Sequence, residues 1–114
     1  MGVIHHLDPD GIESLLANSI VGRIACNQPD GRPYLVPLAY AYDGESVYAV
    51  SGPGRKLDLM RADPRISFEV DQVEQSDRWQ SVVAEGEFKE VSDADEVQMA
   101  VALLESATGV PKLL

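Results

Sequence analysis

The sequence predicts a mainly β fold, an antiparallel β-barrel with peripheral helices, on three observations. Five stretches have the composition and alternation of strands, at residues 20–27, 33–42, 46–51, 66–70 and 79–91. Short turn sequences join the early strands, and such connections are too short for the crossover that parallel strands need. The chain has 114 residues, of which 45% are hydrophobic, so we expect one domain over residues 1–114 with one modest core.

The first expected element is a short helix. Asp8 suits the N-cap position and Pro9 the first helical position. An apolar stripe follows at helical spacing, formed by Ile12, Leu15 and Leu16. The preceding His5 and His6 are adjacent on an extended chain and point to opposite sides, which makes them a poor metal-binding pair.

The second predicted strand, residues 33–42, is apolar or amphipathic on both faces, so we expect both faces to be covered. It follows a strong turn signal at residues 28–31. Pro37 cannot donate to a β-ladder, which predicts a bulge or an unpaired edge there. A flat ligand could lie against such an edge beside Ala39, and a simple edge strand explains the pattern equally well.

The later elements follow from local signals. A second turn at Asp43-Gly44 leads to the third strand, and a short helix over residues 55–61 should end before Pro64. Residues 66–70 alternate as a half-buried strand, and residues 73–78 are polar and loop-like. Gly86 suggests a bulge or a sharp coil in the fifth strand, as in barrel strands. Residues 92–95 should cap a final helix that ends near residues 109–111.

The net charge of −10 argues against general nucleic-acid binding, which needs a basic surface. Four of the nine Lys and Arg residues nevertheless lie between positions 55 and 65, whereas eleven acids face three bases from Glu69 onward. A local basic island in an acidic protein favours a small anionic ligand over a polyanion. Alternatively, Arg61 and Arg65 only flank a helix end and a turn, where cations are common.

The stretch Ser51-Gly52-Pro53-Gly54-Arg55-Lys56 is the strongest candidate site. It places two cations in the first turn of an expected helix, where the helix dipole disfavours positive charge. The placement is explained if backbone N–H groups, the dipole and both cations converge on a phosphate. A solvated turn with two surface charges is the equally simple alternative.

Several function classes lack support in the sequence. The chain has one cysteine, Cys26, and no apolar run of membrane-spanning length, which favours a reducing, cytoplasmic location. Neither a nucleophilic triad, a P-loop, a metal site nor a catalytic carboxylate pair is evident, so no catalytic residue is assigned. Such a chain could act by holding a cofactor that carries the chemistry.

Six short sequences then carry a resemblance to a known family: Val21-Gly22-Arg23-Ile24-Ala25, Asp30-Gly31-Arg32-Pro33-Tyr34-Leu35-Val36-Pro37-Leu38, Asp43-Gly44, Gly54-Arg55-Lys56-Leu57, Asp63-Pro64-Arg65-Ile66-Ser67-Phe68-Glu69-Val70 and Trp79-Gln80-Ser81-Val82. In this order the chain resembles the FMN-binding split-barrel proteins related to pyridoxamine 5′-phosphate oxidase, over roughly residues 7–91. The branch that contains nitroimidazole-resistance flavoproteins is the most similar, although Val50 stands where that branch commonly has histidine.

The resemblance implies a homodimer of antiparallel split barrels with FMN bound in two clefts between the subunits. It implies that Lys56 and Arg55 hold the FMN phosphate, helped by Ser51 and the Gly54 backbone. Further expected cofactor-binding residues are Val36, Pro37 and Leu38 along the isoalloxazine ring, and Trp79 and Ser81 from the partner subunit. Trp79 could equally be a core residue of the barrel or of the dimer.

The function implied is that of a flavin-dependent oxidoreductase acting on an unidentified small molecule, with a nicotinamide or a deazaflavin as electron donor. Two alternatives remain open. The protein could store or sense a flavin, or another phosphorylated ligand, without catalysis, or it could be a degenerate split barrel that binds no cofactor.

Overall fold

The computed structural model of the chain describes residues 7, 9–50 and 52–108. In chain order its elements are α1 (Pro9–Asn18), β1 (Val21–Asn27), β2 (Pro33–Ala39), β3 (Ala41–Tyr42), β4 (Val47–Tyr48), α2 (Arg55–Ala62), β5 (Arg65–Gln75), β6 (Arg78–Glu87) and α3 (Ala94–Thr108). The expected N-cap Asp8, the two histidines, Ser51 and the expected end of the last helix lie outside the described residues.

All strand pairs are antiparallel, as the short turns predict. One sheet has the strand order β2-β1-β5-β6, and β3 pairs with β4 in a second sheet. Gly31 and Gly44, with φ angles of 87° and 99°, occupy the two predicted turns in the left-handed region that glycine adopts without strain. Within this order β2 is an edge strand, which confirms the unpaired edge expected at Pro37, and Pro37 lies opposite Arg23 without a bulge.

The core lies between one face of the large sheet and the helix α1. Its buried cluster consists of Leu15, Leu16, Tyr40, Phe68, Val70 and Val82. The rings of Tyr40 and Phe68 meet edge to face, with centroids 4.9 Å apart. The Tyr40 hydroxyl donates to the Leu16 carbonyl oxygen at 2.6 Å and so ties α1 to the sheet.

The helices begin and end close to the predicted positions. α2 starts at Arg55, and the Asp63 N–H closes it by donating to the Leu59 carbonyl at 2.9 Å, just before Pro64. At the start of α3 the Asp93 carboxylate accepts from the Glu96 N–H at 3.0 Å. In the described part of the chain, no helix has the length and apolar character needed to cross a membrane.

Three strand predictions were wrong in detail. The second strand is interrupted at Tyr40. Its N–H still donates to the Ile20 carbonyl at 3.0 Å, in register with the β1–β2 ladder, but Ala41 and Tyr42 pair with β4 in the second sheet. The third strand contracts to residues 47–48. Residues 73–78, expected as a loop, belong largely to β5 and β6, which run on as a two-stranded ribbon.

The predicted bulge at Gly86 is also absent from the β5–β6 ladder. Gly86 pairs with Ile66 in regular register, and the irregularity lies between Val73 and Gln75. Every residue from 71 to 80 is exposed. The ribbon therefore has no buried face, and without one its sequence carries no alternation from which a strand could be predicted.

Candidate functional site

The two adjacent cations open α2 as predicted. Arg55 is the first residue of this eight-residue helix and Lys56 the second, with Gly54 at the N-cap position. The first N–H groups of a helix have no intrahelical acceptor, so they point outward from the same end. The side chain of Lys56 is half-buried, and no described residue makes a hydrogen bond or an ion pair with its ammonium group.

The basic island of the sequence divides into paired and unpaired charges. Arg61 Nε donates to Glu90 Oε1 at 2.7 Å, and Arg65 Nη2 lies 2.9 Å from Asp63 Oδ2. The Arg65 side chain holds the pKa of the Asp63 carboxyl well below its usual value, with further hydrogen bonds contributing. Both arginines thus have the ordinary structural role that the sequence left open.

Arg55 and Lys56 lack a carboxylate partner among the described residues. An incoming anion could form charge-assisted hydrogen bonds with these two groups without displacing an existing ion pair of either. Of the four cations in the island, only this pair lacks a carboxylate partner in the part of the chain that the structure describes, so we regard it as available for an anionic ligand.

Two residues that the sequence did not single out contact Arg55. Its Cζ lies 4.9 Å from the ring centroid of Tyr34, in cation–π geometry. Its Nη2 donates to the Gln28 side-chain oxygen. Gln28 belongs to the β1–β2 turn and Tyr34 to β2, so the hairpin and the start of α2 meet here. Only their spatial proximity reveals this, because Arg55 is 27 residues from Gln28 in the chain.

Cys26, near the end of β1, is buried behind the same two cations. Burial raises the pKa of its thiol, while the charges of Lys56 and Arg55 act in the opposite direction. Arg55 contacts Gln28, which directly follows β1, and α2 packs against that strand, so the two cations lie close to its end.

The three residues of β2 that are expected to contact the flavin ring lie alternately on the two faces of the strand. Val36 and Leu38 are half-buried on the core side, whereas Pro37 is exposed on the opposite face. Leu35, on that same outer face, is 63% exposed. The prediction that both faces are covered is thus not met within one chain, because the outer face is open to solvent.

Trp79 and Ser81 lie on β6, at the opposite edge of the sheet from β2. Three strand spacings separate these edges, or about 14 Å. The Trp79 side chain is 52% exposed, which contradicts the alternative of a barrel-core role within the chain. The Ser81 hydroxyl donates to Glu69 Oε2 at 3.0 Å. One chain therefore brings Gly54, Arg55 and Lys56 together and does not add Trp79 or Ser81 to them.

An ionic cluster that the sequence did not reveal lies at the centre of the outer face. Arg23 Nε donates to Glu69 Oε1 at 2.7 Å, and Arg23 Nη2 lies 3.0 Å from Asp71 Oδ2. Exposed apolar side chains lie around it on the four strands of the same sheet: Val21 of β1, Leu35 of β2, Val73 of β5, and Trp79 and Val83 of β6. A groove of about 470 Å³, lined partly by Asn27 and Arg65, opens between β1, β5 and β6.

Among the described residues, no group of three or more His, Cys, Asp or Glu side chains is placed so that it could hold a metal ion. The described site offers cations, backbone N–H groups and an edge strand, and it holds no histidine. It can bind an anion and lie beside a flat group, which is the pattern of a cofactor site.

Comparison with known proteins places the chain in a family. The family model described as pyridoxamine 5′-phosphate oxidase matches residues 8–112. An uncharacterised protein from Rhizobium meliloti (strain 1021) is 35% identical over 79 residues, which cover 69% of this chain and 52% of that protein. The chain thus spans about half the length of this relative.

Two solved structures are similar over nearly the whole chain. A FAD-binding protein from Mesorhizobium loti is 38% identical, with a TM-score of 0.79, over 95% of this chain and 80% of that one. A candidate 5-nitroimidazole antibiotic resistance protein from Bacteroides thetaiotaomicron is 21% identical, with a TM-score of 0.82, over 94% and 70% of the two chains. At that identity the second similarity shows the fold alone. The chain belongs to the pyridoxamine 5′-phosphate oxidase family and has its antiparallel split-barrel fold.

Proposed function

We propose that this protein binds a flavin, with the FMN phosphate at the start of α2, and that it is a flavin-dependent oxidoreductase. The observation that carries the proposal is the half-buried residue Lys56, whose ammonium has no partner among the described residues and which lies beside Arg55 at a helix N-terminus. The helix dipole, the free N–H groups and two cations all favour a dianionic phosphate there. The Gly54 backbone, without a side chain, leaves room for close approach.

The similarity to a FAD-binding protein at 38% identity supports a flavin as the anionic ligand. FAD contains the FMN unit, so the same two cations could take its pyrophosphate. FMN is the proposed cofactor because the site presents one short cluster of donors. Equal or tighter binding of FAD would correct that choice without changing the class of cofactor.

The isoalloxazine ring is proposed to lie along Val36, Pro37 and Leu38, where the unpaired edge of β2 leaves main-chain N–H and C=O groups free to meet its polar edge. We further propose a homodimer in which Trp79 and Ser81 of a second copy complete the site. The exposed Trp79 supports this arrangement, because its position on the opposite sheet edge prevents it from reaching the Lys56 site of its own chain.

The flavin would supply the redox chemistry when bound, passing electrons from a reduced nicotinamide or deazaflavin to a small acceptor. The chain's own residues would bind the flavin and orient it. Lys56 and Arg55 hold the phosphate, the β2 edge fixes the plane of the ring, and the apolar side chains of β2 limit access of water.

Titration of the protein with FMN, followed by the visible spectrum and by flavin fluorescence, tests the binding. Lys56→Ala removes a charge-assisted contact worth about 1.5–3 kcal/mol, so the Kd for FMN should rise by about ten- to 150-fold. The matched control is Lys89→Ala, which removes an exposed lysine next to Glu90, the partner of Arg61 in the last turn of α2 and so at the opposite end of the helix from Lys56. A colourless protein without affinity for FMN, or equal effects of the two substitutions, contradicts the proposal.

A flavin-binding protein without catalysis is the second candidate, and it is favoured by the lack of a histidine in the described residues and by Val50 at the position before Ser51. Steady-state assays of the FMN-loaded protein with NADH, NADPH and a reduced deazaflavin separate the two. Oxidation of a donor faster than by free FMN supports the oxidoreductase, and oxidation no faster than by free FMN supports storage or sensing.

A further inference from the structure

Arg55 and Lys56 are neighbours in the chain, but they have different surroundings. Lys56 has no partner among the described residues, whereas Arg55 lies between the Tyr34 ring and the Gln28 amide. We propose that Tyr34 and Gln28 are positioning residues that hold the Arg55 guanidinium beside Lys56 for the flavin phosphate. This inference rests on the proposed function and assigns a binding role to the β1–β2 hairpin.

The geometry makes the hairpin a fixed support. The Gln28 N–H donates to the Arg32 carbonyl at 3.1 Å, and the Gln28 carbonyl accepts from the Gly31 N–H at 3.0 Å. Tyr34 is paired with Cys26 in the β1–β2 ladder, and Cys26 is buried. Both groups that contact Arg55 are therefore anchored by backbone hydrogen bonds of the same hairpin.

Such anchoring favours phosphate binding because a free arginine side chain loses rotamer freedom when it takes up one geometry. A guanidinium that is already held loses less of this freedom on binding. The cation–π contact with Tyr34 uses none of the five N–H donors of the guanidinium, and the bond to Gln28 uses one. The remaining donors stay available to phosphate oxygens, which guanidinium groups can bind in pairs.

The arrangement also implies that the two cations contribute to phosphate binding in different ways. Lys56 acts as a point charge at the helix N-terminus, and its effect depends on charge alone. Arg55 contributes directed hydrogen bonds, and their strength depends on the position in which the hairpin holds the guanidinium group. Loss of the Tyr34 ring should therefore weaken phosphate binding only as long as Arg55 is present.

The test compares FMN with riboflavin, which lacks the phosphate, by flavin fluorescence titration of Tyr34→Leu, Arg55→Ala and the double variant. Tyr34→Leu should weaken FMN binding by about two- to five-fold, the usual range for an exposed cation–π contact. Riboflavin affinity should stay unchanged, and Tyr34→Leu should have no further effect in the Arg55→Ala background. Tyr34→Phe keeps the ring and should restore the affinity.

Equal weakening of FMN and riboflavin by Tyr34→Leu, or effects of Tyr34→Leu and Arg55→Ala that multiply, would overturn the positioning role. If the unsubstituted protein binds neither flavin, the proposed function itself is refuted, and the two failures are thereby distinguished. Circular dichroism checks the fold of each variant. Should Tyr34→Leu not fold, Gln28→Ala serves instead, and the same dependence on phosphate and on Arg55 is expected of it.

Discussion

Gly22 on β1 is the position where a single added methyl group should be most damaging. A Cβ atom there would lie 2.3 Å from Phe68 Cζ, 2.6 Å from Phe68 Cε1 and 2.9 Å from the Glu69 carbonyl oxygen. Favourable contacts between carbon atoms lie at about 3.5–4.0 Å, so both the ring and the neighbouring strand would have to move. Gly22 also pairs with Leu38, so the strain would reach the proposed flavin strand.

The size of the effect follows from the surroundings of Phe68. Its side chain is 3% exposed and packs edge-on against Tyr40, so the ring has little room to rotate away. Overpacking a core typically costs about 1–3 kcal/mol. Because one of the three contacts is to backbone, we expect Gly22→Ala to cost about 2–3 kcal/mol and to lower the Tm by about 10 °C.

Urea unfolding followed by circular dichroism measures this cost, with Gly86→Ala as the matched control. Gly86 is a strand glycine of the same sheet, but the nearest atom to its added Cβ, Ile66 Cδ1, is 3.9 Å away. That is ordinary contact, so the control should change the free energy of unfolding by no more than about 0.5 kcal/mol in either direction.

Adding Phe68→Leu to Gly22→Ala should recover part of the loss, because two of the three close contacts involve the ring. The coupling free energy in this double-mutant cycle should be about 1 kcal/mol or more. If Gly22→Ala and Gly86→Ala unfold at the same urea concentration, the close approach of β1 and the Phe68 ring is refuted.

Two further predictions concern hydrogen bonds outside the site. Tyr40→Phe leaves the Leu16 carbonyl without its 2.6 Å donor and should lower the free energy of unfolding in urea by about 1–2 kcal/mol. The control is Tyr42→Phe, which removes a less buried hydroxyl. An equal or smaller cost for Tyr40→Phe than for Tyr42→Phe would contradict the role of the Tyr40 hydroxyl. The Arg65 side chain lowers the pKa of Asp63, so the ionised carboxylate contributes stability above about pH 4 that is lost as the pH falls towards the folded-state value. Asp63→Asn should therefore make the urea midpoint fall less steeply below about pH 4, and parallel curves for both proteins would count against the Asp63–Arg65 contact.

Much of the fold could be predicted because its signals are local. The Pro9 start of α1, the glycine turns and the Asp93 cap each depend on a few adjacent residues whose backbone preferences are strong. The errors arose where local preference gives way to packing. The interruption at Tyr40 occurs where the chain leaves the large sheet and pairs with β4 in the second one, and the exposed ribbon has no buried face to impose alternation.

The candidate site was only partly predictable. The unusual pair Arg55-Lys56 at a helix start is visible in the sequence, because its conflict with the helix dipole is a local feature. The partners Gln28 and Tyr34 could not be found in this way, since nothing in their own neighbourhoods marks them. The positions of Trp79 and Ser81 relative to the cations likewise depend on the strand order of the sheet.

By itself, the sequence determined the antiparallel strands, the three helices and the cation pair that opens α2, because turn, cap and charge patterns act over a few residues. Only the tertiary structure decided which charges are available to a ligand. Arg61 is neutralised by Glu90, 29 residues away, while Lys56 is left half-buried and without a partner in the described chain. Charge neutralisation acts through space, so the chain must fold before the anion-binding pair can be told from the structural arginines beside it.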